Sequence, residues 1–323
     1  MILAEVGRST IRIASIPLMY QRQFLSLLLP ALALVPAAHA KPRQPAAPPA
    51  YSIVMASFPE ELTAMKKVLV LDRKNTLKMT KINGVAFESA MVGKRRCLFF
   101  LSGMSVANAA MTTQLALSKF PVKEVFFTGI AGGINPAYTP GDVVIPERWA
   151  YHGEGALLNE REPGKFQVPP YMKPHYANFN MFFPDDVTVI RAGMPKYEQI
   201  ATFPADPGLI ALAKRALVGL KPPTMNGRDC KVNYGGTGVS GTVFCDNASY
   251  REYVFSVWKA ECLDMESAAI AHVCWANKVP CLIVRGLSDL AGGQTGPNEE
   301  EIYLKTAAQH SALVLEQILS TPE

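Results

Sequence analysis

The segment Leu263–Ala291 reads LDMESAAIAHVCWANKVPCLIVRGLSDLA. Two apolar runs, Glu261–Met265 and Cys281–Gly286, have strand character, and the small-residue stretch Glu266–Asn277 between them has helical length. Strand, helix and strand thus alternate within one short span. Outward from it, Tyr51–Ala56, Cys97–Ser102, Glu124–Thr128, Asp142–Ile145 and Lys231–Gly235 read as further strands. Pro59–Leu71, Val106–Lys119, Asp206–Leu217 and Asn247–Trp258 read as amphipathic helices. This alternation predicts a single α/β domain over residues 51–323, with a mixed, mostly parallel central sheet flanked by helices. Pro163–Pro204 breaks the rhythm and is rich in Pro, Phe, Tyr, Met and Asn, with one short strand expected at Val187–Arg191. Excursions of that length are usually functional or interfacial.

Composition narrows the class. With 323 residues, 49% of them hydrophobic and 18% charged, the chain can bury a large core, which excludes disordered, fibrous and small disulfide-scaffold proteins. The formal charge is +5, and Arg8, Arg12 and Arg22 against Glu5 leave only +3 beyond residue 40. So weak and evenly spread a charge argues against nucleic acid as a partner.

The apolar run Phe24–Ala38 follows Arg22 and closes on Ala38-His39-Ala40, the small-x-small form of a signal-peptidase site. Residues 1–40 are therefore expected to be a signal peptide, with Met19 an alternative start, and residues 41–50 (KPRQPAAPPA) a proline-stiffened tether. A stable membrane anchor is not expected, because the run contains Pro30 and Pro36 and is shorter than the ~20 residues that span a bilayer. The expected location is periplasmic or secreted, where disulfides can persist. Cys97, Cys262, Cys274 and Cys281 lie in apolar stretches and read as core residues, while Cys230 and Cys245 flank one strand-turn segment and are the candidate bridge. No CxxC pair or zinc pattern occurs.

Open α/β sheets bind ligands beyond the carboxyl ends of their strands. Four segments follow strands there: SFPEE (Ser57–Glu61), TGIAGG (Thr128–Gly133), Asp264-Met265-Glu266 and Gly286-Leu287-Ser288-Asp289. Each has a structural reading, as a helix first turn, a tight turn or a cap. The glycine spacing is neither GxGxxG nor GxxxxGK[ST], so no dinucleotide or NTP site follows. Convergence favours function: Glu61, Glu266, Asp289 and Arg285 come to one end of one sheet, where isolated charges are costly unless they meet each other or a polar ligand.

In these residues, and most strongly in FTGIAGGINPAYTPGDVVIP (Phe127–Pro146) and Leu263–Ala291, the sequence resembles the purine nucleoside phosphorylase and uridine phosphorylase superfamily. Within it the likeness is greatest to 5′-methylthioadenosine/S-adenosylhomocysteine nucleosidases. The resemblance implies that Asp289 is the general acid at purine N7, oriented by Ser288, and that Glu61 deprotonates the attacking water. It implies that Met265 and Glu266 clamp the ribose and that Phe244 stacks on the base with Cys245 beside it. Ala131 and Gly132 would line the anomeric face, Arg285 would hold Glu61 or the water, and Met104 would complete the substrate contacts. No cofactor or metal is required, the partner is a small-molecule purine nucleoside, and a homo-oligomer, dimer or hexamer, is expected.

Three departures bear on the 5′ end of the substrate. Ile130 replaces a small hydroxyl residue, Gly292–Glu301 (GGQTGPNEEE) lacks the aromatic that helps enclose the alkylthio group, and the excursion is long. Tyr171, Tyr176, Phe179, Phe182 and Phe183 of the excursion either fold over the site as the 5′ pocket or form a subunit interface or satellite core. Two other functions stay open at this point. A phosphorylase needs cations for phosphate, yet SFPEEL (Ser57–Leu62) and SGMSVANAA (Ser102–Ala110) hold none. A non-catalytic exported storage protein of the same fold would have no use for Glu61 and Asp289.

Overall fold

Tyr51–Ala56 forms β1, whose six residues are all buried, as a strand covered by helices on both faces must be. Its alternate side chains serve two cores: Ile53 and Met55 point to one face of the sheet and Val54 to the other. The computed structural model describes residues 49–69, 78–220 and 223–322, so the signal peptide and most of the tether lie outside the described residues. The described residues fall in one unit, Ala47–Glu323.

Eleven further strands complete the sheet: β2 (Lys78–Ile82), β3 (Val85–Val92), β4 (Arg95–Leu101), β5 (Val122–Gly133), β6 (Val143–Ile145), β7 (Arg148–Tyr151), β8 (Phe203–Pro204), β9 (Val232–Tyr234), β10 (Thr237–Ser240), β11 (Ala260–Asp264) and β12 (Cys281–Asp289). The order is β8, β7, β10, β11, β5, β1, β4, β3, β2, with β12 on β5 and β6, and β9 on β6. The core pairs β1 with β4, β1 with β5, and β12 with β5 are parallel, whereas β2–β3, β3–β4 and β6–β12 are antiparallel, so the sheet is mixed. Long β5 pairs β12 in parallel and still reaches β11, antiparallel, at Gly132 and Gly133.

Six helices flank the sheet: α1 (Pro59–Val68), α2 (Val106–Lys119), α3 (Pro207–Ala216), α4 (Ala248–Trp258), α5 (Ser267–Asn277) and α6 (Glu300–Ser320). Alanines of α2 and α5 pack with Ile53 and Met55, while Met65 of α1, Leu209 of α3 and Leu315 of α6 pack with Val54 and Phe126. Asp206 and Asn247 cap α3 and α4 through Leu209 N–H and Tyr250 N–H. At Gly286 a Cβ would sit 2.1 Å from the Ala307 carbonyl oxygen, so this glycine lets α6 lie directly on β12. Among the described residues no helix is long and apolar enough to cross a membrane.

Several elements differ from the sequence expectation. The first helix stops at Val68, and the β2–β3 hairpin, β10 and α6 add to the predicted set. The excursion holds two-stranded pairs, including Gly155–Leu157 with Phe182–Pro184 and Val187–Val189 with Glu198–Ile200. All six cysteines are buried and free, which corrects the proposed Cys230–Cys245 bridge. Cys230 packs against Gly141, whereas the Cys245 thiol faces the Ala291 carbonyl 3.6 Å away.

Candidate active site

The first turn of α1 places Glu61 at the end of β1. Pro59 opens the helix and Glu60 and Glu61 follow in its first turn, where the helix dipole favours carboxylates. Glu61 is nearly fully buried and its two oxygens are held from different elements. Oε2 accepts from Ser57 N–H at 2.7 Å and Ser57 Oγ at 2.6 Å, and Oε1 accepts from Ile130 N–H of β5 at 2.7 Å. A Cβ at Gly129 would stand 2.1 Å from Glu61 Oε1 and 2.3 Å from Arg285 Nη1, so only glycine lets both approach β5. Burial is the largest influence on Glu61 and raises its pKa, with Arg285 and these hydrogen bonds pulling the other way.

Asp289 ends β12. Ser288 Oγ donates to its Oδ2 at 2.8 Å, and Ala291 N–H donates to its Oδ1 at 2.7 Å. Burial again dominates and raises the pKa, so this carboxyl keeps its proton to higher pH than an exposed aspartate.

Asp264 ends β11 and Glu266 directly precedes α5, with Arg285 of β12 behind them, completely buried. Arg285 Nε and Nη2 both lie 2.7 Å from Asp264 Oδ2, and Nη2 lies 3.3 Å from Glu266 Oε2. Asp264 also accepts from Ser240 Oγ at 2.5 Å, from Ser267 Oγ, and from the backbone N–H groups of Glu266 and Ser267 at 3.1 Å. Its carboxylate thus closes the start of α5 and fixes the guanidinium plane. Glu266 Oε1 accepts from Ser105 N–H at 2.7 Å. Ser105 has φ 76°, a left-handed conformation that turns its amide toward Glu266. Burial, with the Asp264 charge second, pushes the Glu266 pKa up to about 7. Arg285 Nη1, buried and 3.8 Å from Glu61 Oε1, has no hydrogen-bond partner among the described residues.

These groups meet in a cavity of about 280 Å³. Of the residues expected from sequence, Glu61, Asp289, Glu266, Met265 and Ser288 line it, as do Phe244, Cys245, Ala131, Gly132 and Met104. Arg285 does not line it; it acts from behind, through Asp264, Glu266 and Glu61. Asp264, Glu300, Phe58, Ile130 and Val243 also line the cavity and are not among the contacts expected from sequence. The sequence signal for Asp264 is the Asp-x-Glu beside an arginine-bearing strand. The excursion aromatics do not line the cavity, so of the two readings open from sequence the 5′ pocket is the one the structure does not bear out. Phe179 packs 5.0 Å from the Tyr250 ring and 5.1 Å from the Tyr253 ring of α4, Tyr176 stacks near Trp258, and Phe183 contacts Phe166.

Chemically, the lining combines a buried acid, Asp289, a hydrogen-bonded carboxylate, Glu61, and a diol-sized acceptor, Glu266, beside exposed apolar surface from Met104 and Phe244. Among the described residues five carboxylates face it and no Lys or Arg does.

The family model for the phosphorylase superfamily matches residues 52–320. A 5′-methylthioadenosine/S-adenosylhomocysteine nucleosidase of Marinomonas sp. is 30% identical over 272 residues, covering 82% of this chain and 96% of its own. That of Mycobacterium bovis is 28% identical over 268 residues, covering 81% and 94%. Among solved structures, a Helicobacter pylori nucleosidase variant with 5′-methylthioadenosine in its active site aligns with a TM-score of 0.64 at 20% identity, covering 84% of this chain and 98% of that one. The futalosine hydrolase of the same species aligns with a TM-score of 0.63 at 20% identity, covering 83% and 97%. At such identity the structural likeness speaks for the fold, and one fold serves both enzymes.

Proposed function

The chain belongs to the phosphorylase superfamily, and on that footing we propose that it hydrolyses the N-glycosidic bond of an adenine nucleoside of the 5′-methylthioadenosine or S-adenosylhomocysteine type. The relatives carrying that activity in their names cover most of the chain. The observation that carries the reaction type is the charge of the cavity: five carboxylates and no cation among the described residues that line it. A phosphate co-substrate would meet repulsion there, whereas a neutral water would not.

In the proposed reaction Asp289 gives its proton to purine N7 as the C1′–N9 bond breaks and the bonding pair leaves with adenine. Water adds to C1′ on the face lined by Ala131 and Gly132, and Glu61 takes the water's proton. Positive charge developing on the sugar is stabilised by the surrounding carboxylates. Glu266 accepts hydrogen bonds from the 2′- and 3′-hydroxyls, and Phe244 lies on the base. Arg285 and Asp264 are positioning residues, since they hold Glu266 without lining the cavity as a pair.

The proposal extends to location and assembly. The apolar run Phe24–Ala38 with Ala38-His39-Ala40 supports export, and exposed Met104, Met111 and Val243 support association into a homo-oligomer. Adenine release from 5′-methylthioadenosine in phosphate-free buffer tests the function: turnover supports it, and turnover only on phosphate addition rejects it. N-terminal sequencing of the exported protein and light scattering test the other two.

A further inference from the structure

Four of the five carboxylates facing the cavity are engaged. Glu61, Asp264, Glu266 and Asp289 each accept hydrogen bonds from named groups. Glu300, the first residue of α6, is different: it lines the same cavity, and its carboxylate has no hydrogen-bond or ion-pair partner among the described residues. Among the described residues, the charges that act most on it are Asp289, Glu301 and Glu61, all of its own sign.

The segment that carries Glu300 is tied down. Asn247 N–H donates to the Ala291 carbonyl at 3.1 Å, and Gln294 and Asn298 both donate to Asp246 Oδ1, at 2.8 and 3.1 Å. Asn298 Oδ1 in turn accepts from Glu300 N–H at 2.8 Å. Residues 291–300 are thus fastened to the start of α4, and Glu300 is presented to the cavity by fixed backbone.

What it faces follows from the chemistry of the nucleoside. With N7 on Asp289, C1′ near Glu61 and the diol on Glu266, the remaining part of an adenine nucleoside is the 5′ carbon and its substituent. In an anti nucleoside the N7–C8 edge of the base lies on the side of the 5′ carbon, so a residue next to Asp289 and nearer solvent stands at the 5′ end. Phe58 and Ile130 supply apolar wall in the same cavity, and none of the excursion aromatics reaches it.

We propose that Glu300 reads the 5′ substituent and selects nucleosides whose 5′ group donates hydrogen bonds or carries positive charge over those ending in a plain alkylthio group. This rests on the nucleosidase reading of the cavity and narrows its substrate class. An unpaired carboxylate that faces the cavity beside other carboxylates is poorly matched to a methylthio group and well matched to an ammonium or hydroxyl. Burial, followed by repulsion from Asp289, raises its pKa, as expected for a carboxylate that a cationic ligand would relieve.

The test compares 5′-amino-5′-deoxyadenosine, adenosine and 5′-methylthioadenosine with the wild type, Glu300→Gln and Glu300→Leu, measuring both kcat/KM for adenine release and Kd by calorimetry. Glu300→Gln keeps the shape and the helix start, so it reports on charge even if the leucine variant folds poorly. The expected result is at least tenfold preference of the wild type for the amino nucleoside over the methylthio one. That preference shrinks in Glu300→Gln and reverses by about ten- to a hundredfold in Glu300→Leu, roughly the span one apolar contact provides. An unchanged preference ratio in both variants overturns the proposal and leaves Glu300 as a helix-start residue, a role that would show only as lower melting temperature. Should no nucleoside release adenine while the Kd values follow the predicted order, the nucleosidase reading falls and the assignment of Glu300 stands. Cleavage with unchanged ratios overturns the assignment of Glu300 and leaves the nucleosidase reading in place.

Discussion

Arg285 and Asp264 form a buried pair in which guanidinium Nε and Nη2 each lie 2.7 Å from one carboxylate oxygen. The pair is the hub of the site, because the same guanidinium reaches Glu266 and approaches Glu61. Removing Asp264 deprives the guanidinium of its closest carboxylate and leaves Glu266 and Glu61, at 3.3 and 3.8 Å, to balance it. Asp264→Asn, which keeps the hydrogen-bonding shape toward Ser240 and the start of α5, is expected to lose about 3–5 kcal/mol of stability. Urea denaturation measures this, and a loss below about 1 kcal/mol would show that the site does not depend on the pair.

Asp289→Asn keeps shape but has no proton to give to N7. Turnover should fall by at least ~10²-fold, the usual share of a general acid, with the melting temperature close to wild type. A variant retaining a tenth or more of the wild-type rate would remove Asp289 from that role.

Glu61 must be ionised to accept the water's proton, and Asp289 must be protonated to act. Burial raises both pKa values, so kcat/KM should describe a bell displaced upward from ordinary carboxylate titration. Glu61→Gln should lose about 10²–10⁴-fold in rate, retain adenine affinity, and leave a residual activity without the acid limb. Persistence of that limb in the variant would assign it to another group.

His152 and Glu266 set opposing pH dependences on stability. Burial holds the His152 pKa down at about 4 against an ordinary 6.5, with the Asp264 charge opposing. The stability it contributes is fully present above 6.5 and is lost as pH falls toward 4. Glu266, pushed up to about 7 from an ordinary 4.5, contributes stability that is present below 4.5 and lost as pH rises through about 7. Relative to wild type, His152→Gln should gain stability as pH falls from 6.5 to 4.5, and Glu266→Gln should lose it over the same range, each by a few kcal/mol at about 1.4 kcal/mol per pH unit. Melting curves across that window distinguish the two, and slopes of the same sign in both variants would contradict the assignment.

The strand, helix and strand alternation at Leu263–Ala291 and the carboxylates around it were legible because strand ends in an open sheet converge and the residue types there are unusual for a core, whereas the opposite directions of β11 and β12 along β5 appear only in the fold. Other parts depend on contacts between distant segments. Helix α6 buries Ala307, Ala308, Ser311 and Ala312 as well as Leu315 and Ile318, so small residues blur its apolar stripe. Phe179 and Tyr176 could have covered the substrate; only the fold shows them against α4. Asp264 reads as a helix cap in one dimension and becomes the partner of Arg285 only when β11 and β12 are in place.

Hydrolysis is tested most directly by the identity of the sugar released from 5′-methylthioadenosine at saturating phosphate, read by mass spectrometry. The expected product is free 5-methylthioribose with adenine, formed at a rate that phosphate does not raise. The 1-phosphate of that sugar as the main product would show that phosphate is accommodated among the five carboxylates and would contradict hydrolysis as the reaction of this site.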